Sequence, residues 1–240
     1  MNNSQFLDIL KESFIRYLET HSNSTEKLKI LHGAVSADLS KMLKTKNDTV
    51  DVFDVFSLGF ANGKEKEIAG RYIEKRVDIT VNKNGTPTAG ISIKFAMSNY
   101  KQNSNNYFEN MLGETANIRC NNIPYFQIFI IPDKIPYYKD SGKIKGWECI
   151  NKQNLKKYIK LSEDNPDVYT HTPDKTLVFI VNITGDENPV YQNKTEYKNF
   201  YLNNDFTLRL SDKTFEFKSN VVYNDYEKFI NKIVHRILNQ

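Results

Sequence analysis

Cysteine is scarce in this chain: only Cys120 and Cys149 are present, 29 residues apart. With no export signal beside them, free thiols in a reducing compartment are expected rather than a disulfide, and no Cys/His spacing suits zinc. Long apolar runs are missing too. None approaches the roughly 20 residues that cross a bilayer, which excludes a spanning helix. The start, MNNSQFLDILKESF, has no basic stretch leading into an apolar one, so no secretory signal is visible and a cytoplasmic location is expected. Charge of one sign is also lacking, since 33 Lys+Arg against 29 Asp+Glu leave a formal +4. That excludes nucleic-acid binding through a basic tail and leaves room for a local basic cleft. What remains is 240 residues, 39% hydrophobic and 12% aromatic, enough for one domain with a real core.

No repeat and no low-complexity linker divides the chain. Phe6, Leu7, Leu10, Phe14 and Leu18 recur at helical steps. The polar run His21–Thr25 breaks that pattern and offers Ser24 or Thr25 as an N-cap. A second helix carries Leu28, Leu31, Val35, Leu39 and Leu43. Val50–Leu58 reads as extended, and Asn62–Glu67 as a charged loop.

The middle of the chain alternates instead. Val77-Asp78-Ile79-Thr80-Val81 and Gly90-Ile91-Ser92-Ile93-Lys94-Phe95 flank Asn82-Lys83-Asn84-Gly85, which predicts a β-hairpin. The polar segment Ser98–Asn106 reads as a loop before a helix over Tyr107–Ile118. Tyr125–Ile131 and Leu177–Ile183 predict buried strands. A helix over Asn154–Leu161, short strands at Thr207–Leu210 and Phe215–Lys218, and a helix over Tyr226–Leu238 complete an α/β order. The single domain divides into N-terminal helices (1–48), a core (50–184) and a C-terminal β/α extension (185–240).

Side chains alternate across a strand, so Asp78 and Thr80 share one face, as do Ser92 and Lys94. If the apolar faces of the two runs pair, a carboxylate and an ammonium converge beside the sheet. A charge pair on a solvated hairpin face looks the same at this level.

Arg71-Tyr72-Ile73-Glu74-Lys75-Arg76-Val77-Asp78 before the turn and Gly90–Phe95 after it resemble the PD-(D/E)xK nuclease superfamily, in particular the type II restriction endonucleases. The resemblance covers Glu74 to Arg119. Asp78 matches the family's Asp and Lys94 its Lys, whereas Ser92 stands at the second acidic position. In a subgroup with this Ser-x-Lys pattern the missing carboxylate comes from the following helix. Glu109, fifteen residues after Lys94, fits that spacing, and Glu114 is the reserve. The resemblance implies a restriction-endonuclease-like central mixed sheet flanked by helices. It also implies a catalytic set of Asp78, Lys94 and Glu109. Mg²⁺ would be held by the carboxylates of Asp78 and Glu109 and by the backbone carbonyl of Ile93, because a hard cation takes oxygen ligands. Such an ion would acidify the attacking water and offset charge on the phosphate, with Lys94 orienting or deprotonating that water. Glu74 can bind a second ion or pair with Arg76, and the pairing is preferred.

The segment holding Asn99, Tyr100, Lys101, Gln102, Asn103, Asn105 and Asn106 can contact DNA, since amides read adenine and Lys or Tyr meets phosphate; it can equally be a solvated loop. His32, at the edge of an apolar stripe, is expected to pack rather than react, and His21, His171 and His235 share no ligand spacing. Tyr137, Tyr138 and Tyr191, and the Lys228/Lys232/Arg236 face, read as packing and a solvated face. The function expected is Mg²⁺-dependent cleavage of double-stranded DNA at a short sequence by a homodimer. The alternatives are a repair or recombination nuclease of the same superfamily, and a non-catalytic binding module with a degenerate site.

Overall fold

The computed structural model describes residues 1–20, 24–61, 63–185 and 191–240; His21, Asn62 and part of the expected break at His21–Thr25 lie outside these. Phe6, Leu10, Phe14 and Leu18 form the buried stripe of α1 (Asn3–Glu19), started by a reciprocal Asn2–Gln5 capping box. α2 (Glu26–Lys46) buries Leu31, Val35, Leu39 and Leu43 along one side. There follow β1 (Phe53–Ser57), β2 (Lys66–Ala69), β3 (Glu74–Val77), β4 (Ile79–Lys83) and β5 (Thr86–Phe95). The expected hairpin is β4–β5, closed by Asn84 and Gly85 at φ 51° and 83°. Two left-handed residues in a two-residue loop follow the right-handed twist of the strands, which is why Asn-Gly is favoured there.

The rest of the chain runs through α3 (Tyr100–Arg119), β6 (Tyr125–Pro132), β7 (Lys134–Tyr138), β8 (Ile144–Cys149), α4 (Lys152–Leu161) and β9 (Lys175–Thr184). It ends with α5 (Lys194–Asn203), β10 (Thr207–Leu210), β11 (Val221–Tyr223) and α6 (Tyr226–Leu238). Seven strands make a mixed sheet in the order β1-β4-β5-β6-β9-β10, with β11 also on β9. β5, β6 and β9 are parallel neighbours at its centre. Every residue of β6 is buried, as a strand covered on both faces must be. Phe6, Val35 and Phe229 from α1, α2 and α6 join Ile79, Ile91 and Phe179 on one face. Met111, Leu155 and Tyr158 from α3 and α4 join Phe129, Val178 and Ile180 on the other. The α/β class is borne out, and the segment after residue 184 supplies strands to the same sheet. Among the described residues no helix is long and apolar enough to cross a membrane.

Four local expectations change. Val77–Val81 is not one strand: β3 pairs with β2 in a separate ribbon, and the chain enters the main sheet only at Ile79. The expected loop at Ser98–Asn106 is helical from Tyr100 onward. Its start is held by Asn99 (φ 49°), which accepts from Tyr138 N–H at 2.8 Å, and by Glu148, which accepts from Lys101 N–H at 2.9 Å. A carboxylate at a helix N-terminus meets unpaired N–H groups and the positive end of the dipole. Phe215–Lys218 forms no strand, because β10 and β11 already occupy the edge of β9 that β6 leaves open. β7 and β8 form an antiparallel hairpin that was not anticipated.

Candidate active site

The register Ile79↔Ile91 would set Val77 opposite Ile93 if the β4–β5 ladder continued. It stops at Asp78. The Asp78 carboxylate oxygen Oδ2 takes the Ile93 N–H at 2.7 Å, standing in for a strand carbonyl, and the Ser92 hydroxyl at 3.1 Å. A side-chain acceptor satisfies the Ile93 donor and frees the chain to turn away into β3. Alternation along β5 then sends Ile91 and Ile93 into the core and leaves Ser92 and Lys94 half-buried on the other side.

Asp78, Ser92 and Lys94 line one cavity of about 530 Å³, together with His32 of α2, Tyr107 of α3, and Lys27 and Lys194. The Lys94 ammonium lies 4.2 Å from the centroid of the Tyr107 ring, a cation–π contact. Burial holds Lys94 below the ordinary lysine range, against the attraction of Asp78. Lys27 is lowered in the same way by burial and by repulsion from Lys94 and Lys194. Three ammonium groups thus line the same half-enclosed space as the Asp78 carboxylate.

Glu65 and His32 also stand close to Asp78, and neither was anticipated as a site residue. Thr80 Oγ1 donates to the Lys66 carbonyl at 3.3 Å, which ties the start of β2 to β4 and brings the preceding Glu65 beside Asp78. Burial, then the neighbouring Asp78 charge, raises the Glu65 carboxyl above its usual value, with Arg76 opposing. His32 is 1% exposed, and neither ring nitrogen has a hydrogen-bond partner among the described residues. Burial lowers its pKa, and Asp78 opposes the shift. Ligand atoms of His32, Glu65 and Asp78 all lie within 4.8 Å of one another. Helix periodicity alone placed His32 at a stripe edge. What it faces depends on how closely α2 meets the loop after β1: a Cβ on Gly33 would stand 2.6 Å from the Gly59 carbonyl oxygen.

Other residues fall elsewhere. Tyr107, Met111 and Glu114 share one face of α3, and Glu109, two positions after Tyr107, points about 200° away from it. Glu109 is accordingly exposed, does not line the Asp78 cavity, and acts electrostatically on Lys157 of α4. The set Asp78–Glu109–Ile93 is therefore not assembled; Ile93 itself is at the cavity, its N–H given to Asp78. Glu114 pairs with Lys75 at 2.6 Å and accepts from the Tyr125 hydroxyl at 3.3 Å. Burial, with Glu114 and then Asp78 adding to it, raises Tyr125 well above its usual pKa, against the Ser92 hydroxyl, so this tyrosine connects Glu114 to the site from behind. Glu74 is exposed on the β2–β3 ribbon, and Arg76 pairs not with it but with Glu67, directly opposite in the register, at 3.2 Å. Ser92 is present as expected, but as a donor to Asp78.

Of the amide-rich segment, Tyr100 is fully buried against Phe129, so it is core and not a DNA contact. Asn99 is a cap, and Asn103 donates to its carbonyl at 3.0 Å. Gln102 and Asn106 are exposed, while Lys101 and Asn105 border a groove of about 500 Å³ whose far wall is Lys156, Lys157 and Lys160 of α4.

Mg²⁺ prefers an all-oxygen octahedron with several waters. Glu65 and Asp78 could supply the one or two carboxylates that such an ion takes from a protein, whereas the unpartnered buried imidazole of His32 is a donor that transition ions accept. The chain matches no protein-family model, no curated protein and no solved structure.

Proposed function

We propose that this protein hydrolyses phosphodiester bonds of double-stranded DNA at a short specific sequence, as type II restriction endonucleases of the PD-(D/E)xK kind do. The observation that carries the reading is the convergence of Asp78 with Lys94 at the broken end of a hairpin, inside one cavity. Asp78 is held by two hydrogen bonds on one oxygen, so its orientation is set before any ligand arrives. Lys94, in reach of that carboxylate's charge, orients the attacking water or stabilises charge on the phosphate. Lys27 and Lys194 favour an anionic substrate at the same mouth. A bound divalent cation would supply an acidified water and charge relief on the phosphate. The lysines of the α3–α4 groove suit the duplex backbone, and a palindromic site calls for a two-fold dimer.

Digestion of a sequenced phage genome, with Mn²⁺ and with Mg²⁺, tests the reading. Discrete fragments with common end sequences are the expected outcome. A smear would move the protein to the repair or recombination nucleases. The displacement of Glu109 from the cavity favours a second reading, a nucleic-acid-binding module without catalysis, and binding without any cleavage would establish it.

A further inference from the structure

His32 is the most anomalous polar side chain near the cavity. An imidazole that is 1% exposed with both nitrogens unpartnered is costly, because a buried polar group without a hydrogen bond loses its hydration and gains nothing. Its neighbours in reach are two carboxylates, Glu65 and Asp78, themselves close enough to repel. A cation between the three partners one ring nitrogen and offsets the repulsion between the carboxylates.

We infer that His32, Glu65 and Asp78 are the protein ligands of a divalent transition cation, for which Mn²⁺ serves as the probe. The inference names the cofactor of the centre proposed above and rests on that reading for its role in hydrolysis. The geometry is close to what coordination needs. Three ligands about 2.1 Å from one ion stand roughly 3.0–3.6 Å apart, so atoms already within 4.8 Å of one another reach it with shifts of up to about 1 Å each. The three come from α2, the loop before β2 and the β3–β4 break, a set of elements joined only by tertiary contacts. Asp78 uses Oδ2 for Ile93 and Ser92, and these bonds act as the outer shell that aims its carboxylate. Carboxylates suit Mg²⁺ and Mn²⁺ alike, whereas imidazole suits transition ions; one nitrogen with two oxygens selects Mn²⁺ over Mg²⁺. Coordination accounts for one ring nitrogen and leaves the proton on the other.

Titration of the full chain with MnCl₂ and with MgCl₂, without nucleic acid, tests the inference. Binding is read by calorimetry and by loss of the free-Mn²⁺ resonance signal. One Mn²⁺ is expected per chain, bound at least tenfold more tightly than Mg²⁺. His32→Asn and Glu65→Gln are each expected to weaken Mn²⁺ at least tenfold, with His32→Asn leaving Mg²⁺ within about twofold. Two substitutions guard against one that fails to fold, and far-ultraviolet circular dichroism confirms the fold of each. Equal affinity for the two ions, or an Mn²⁺ isotherm unchanged in both variants, overturns the inference. Mn²⁺ bound as described by a protein that leaves DNA intact keeps the metal site and removes the hydrolytic reading. Cleavage by a wild type whose Mn²⁺ isotherm is unchanged in both variants does the reverse.

Discussion

At Asp78 a single side chain does what a strand residue would otherwise do, and the strand ends because of it. Its bond to the Ile93 N–H both completes the ladder and turns β3 aside, so a carboxylate is exposed to a cavity rather than to a neighbour's backbone. Lys94 illustrates the energetic side. Its ammonium is half-buried and loses hydration that the Tyr107 ring only partly replaces. Lys94→Met should therefore raise the melting temperature at pH 7, by about 2–4 °C for a change on the order of 1 kcal/mol in a chain this long. The pH dependence follows from the direction of the shift. Between the lowered folded value and about 10.4 the unfolded chain binds more protons, so the stability of the wild type rises with pH there. The advantage of the methionine variant should shrink from pH 7 to pH 10 in chelator-treated samples. A variant less stable than wild type at pH 7, or a gap that widens with pH, would show that Lys94 is not burdened by burial.

The elements that were legible in the sequence are those whose apolar pattern is regular along the chain, wherever their partners lie: the β4–β5 hairpin, the unbroken apolar runs of β6 and β9, and α6 with apolar positions at helical steps. β7, β8 and α5 were not, and neither was the helical start at Tyr100, which depends on Glu148 approaching from 47 residues away. The site was legible in the same measure. Asp78, Ser92 and Lys94 follow from strand alternation, whereas His32 and Glu65 join them only through the packing of α2 and β2. Glu109 had the right separation from Lys94 along the chain and the wrong helical phase. Two glycines separate these levels experimentally. Gly33→Ala drives a methyl into the Gly59 carbonyl, and should cost roughly 1–3 kcal/mol in urea unfolding while weakening any metal that His32 holds. Gly113→Ala, on the exposed side of α3 with open space around it, should instead stabilise by roughly 0.5–1 kcal/mol. A harmless Gly33→Ala would mean that α2 is free to shift and that His32 is not fixed by this contact.

Over the whole molecule, the mild formal charge of +4 conceals a strong local arrangement. Lys27, Lys94 and Lys194 stand at the cavity that holds the Asp78 carboxylate, and Lys101, Lys156, Lys157 and Lys160 border the groove between α3 and α4. Acidic residues balance them elsewhere, as in Asp174, buried between Arg119 and Arg236. Simultaneous Lys101→Ala and Lys156→Ala should weaken duplex binding and flatten its salt dependence by about two charges, read by fluorescence anisotropy at several salt concentrations. An unchanged slope would take the groove out of the interface. On the proposed function, Asp78 and Lys94 carry out hydrolysis rather than merely shape a surface. The most direct measurement is cleavage of supercoiled plasmid by wild type, Asp78→Ala and Lys94→Ala, with duplex binding measured alongside. Cutting by the wild type, lost at least 100-fold in both variants with binding retained, is the predicted result. Undiminished cutting by either variant would contradict it.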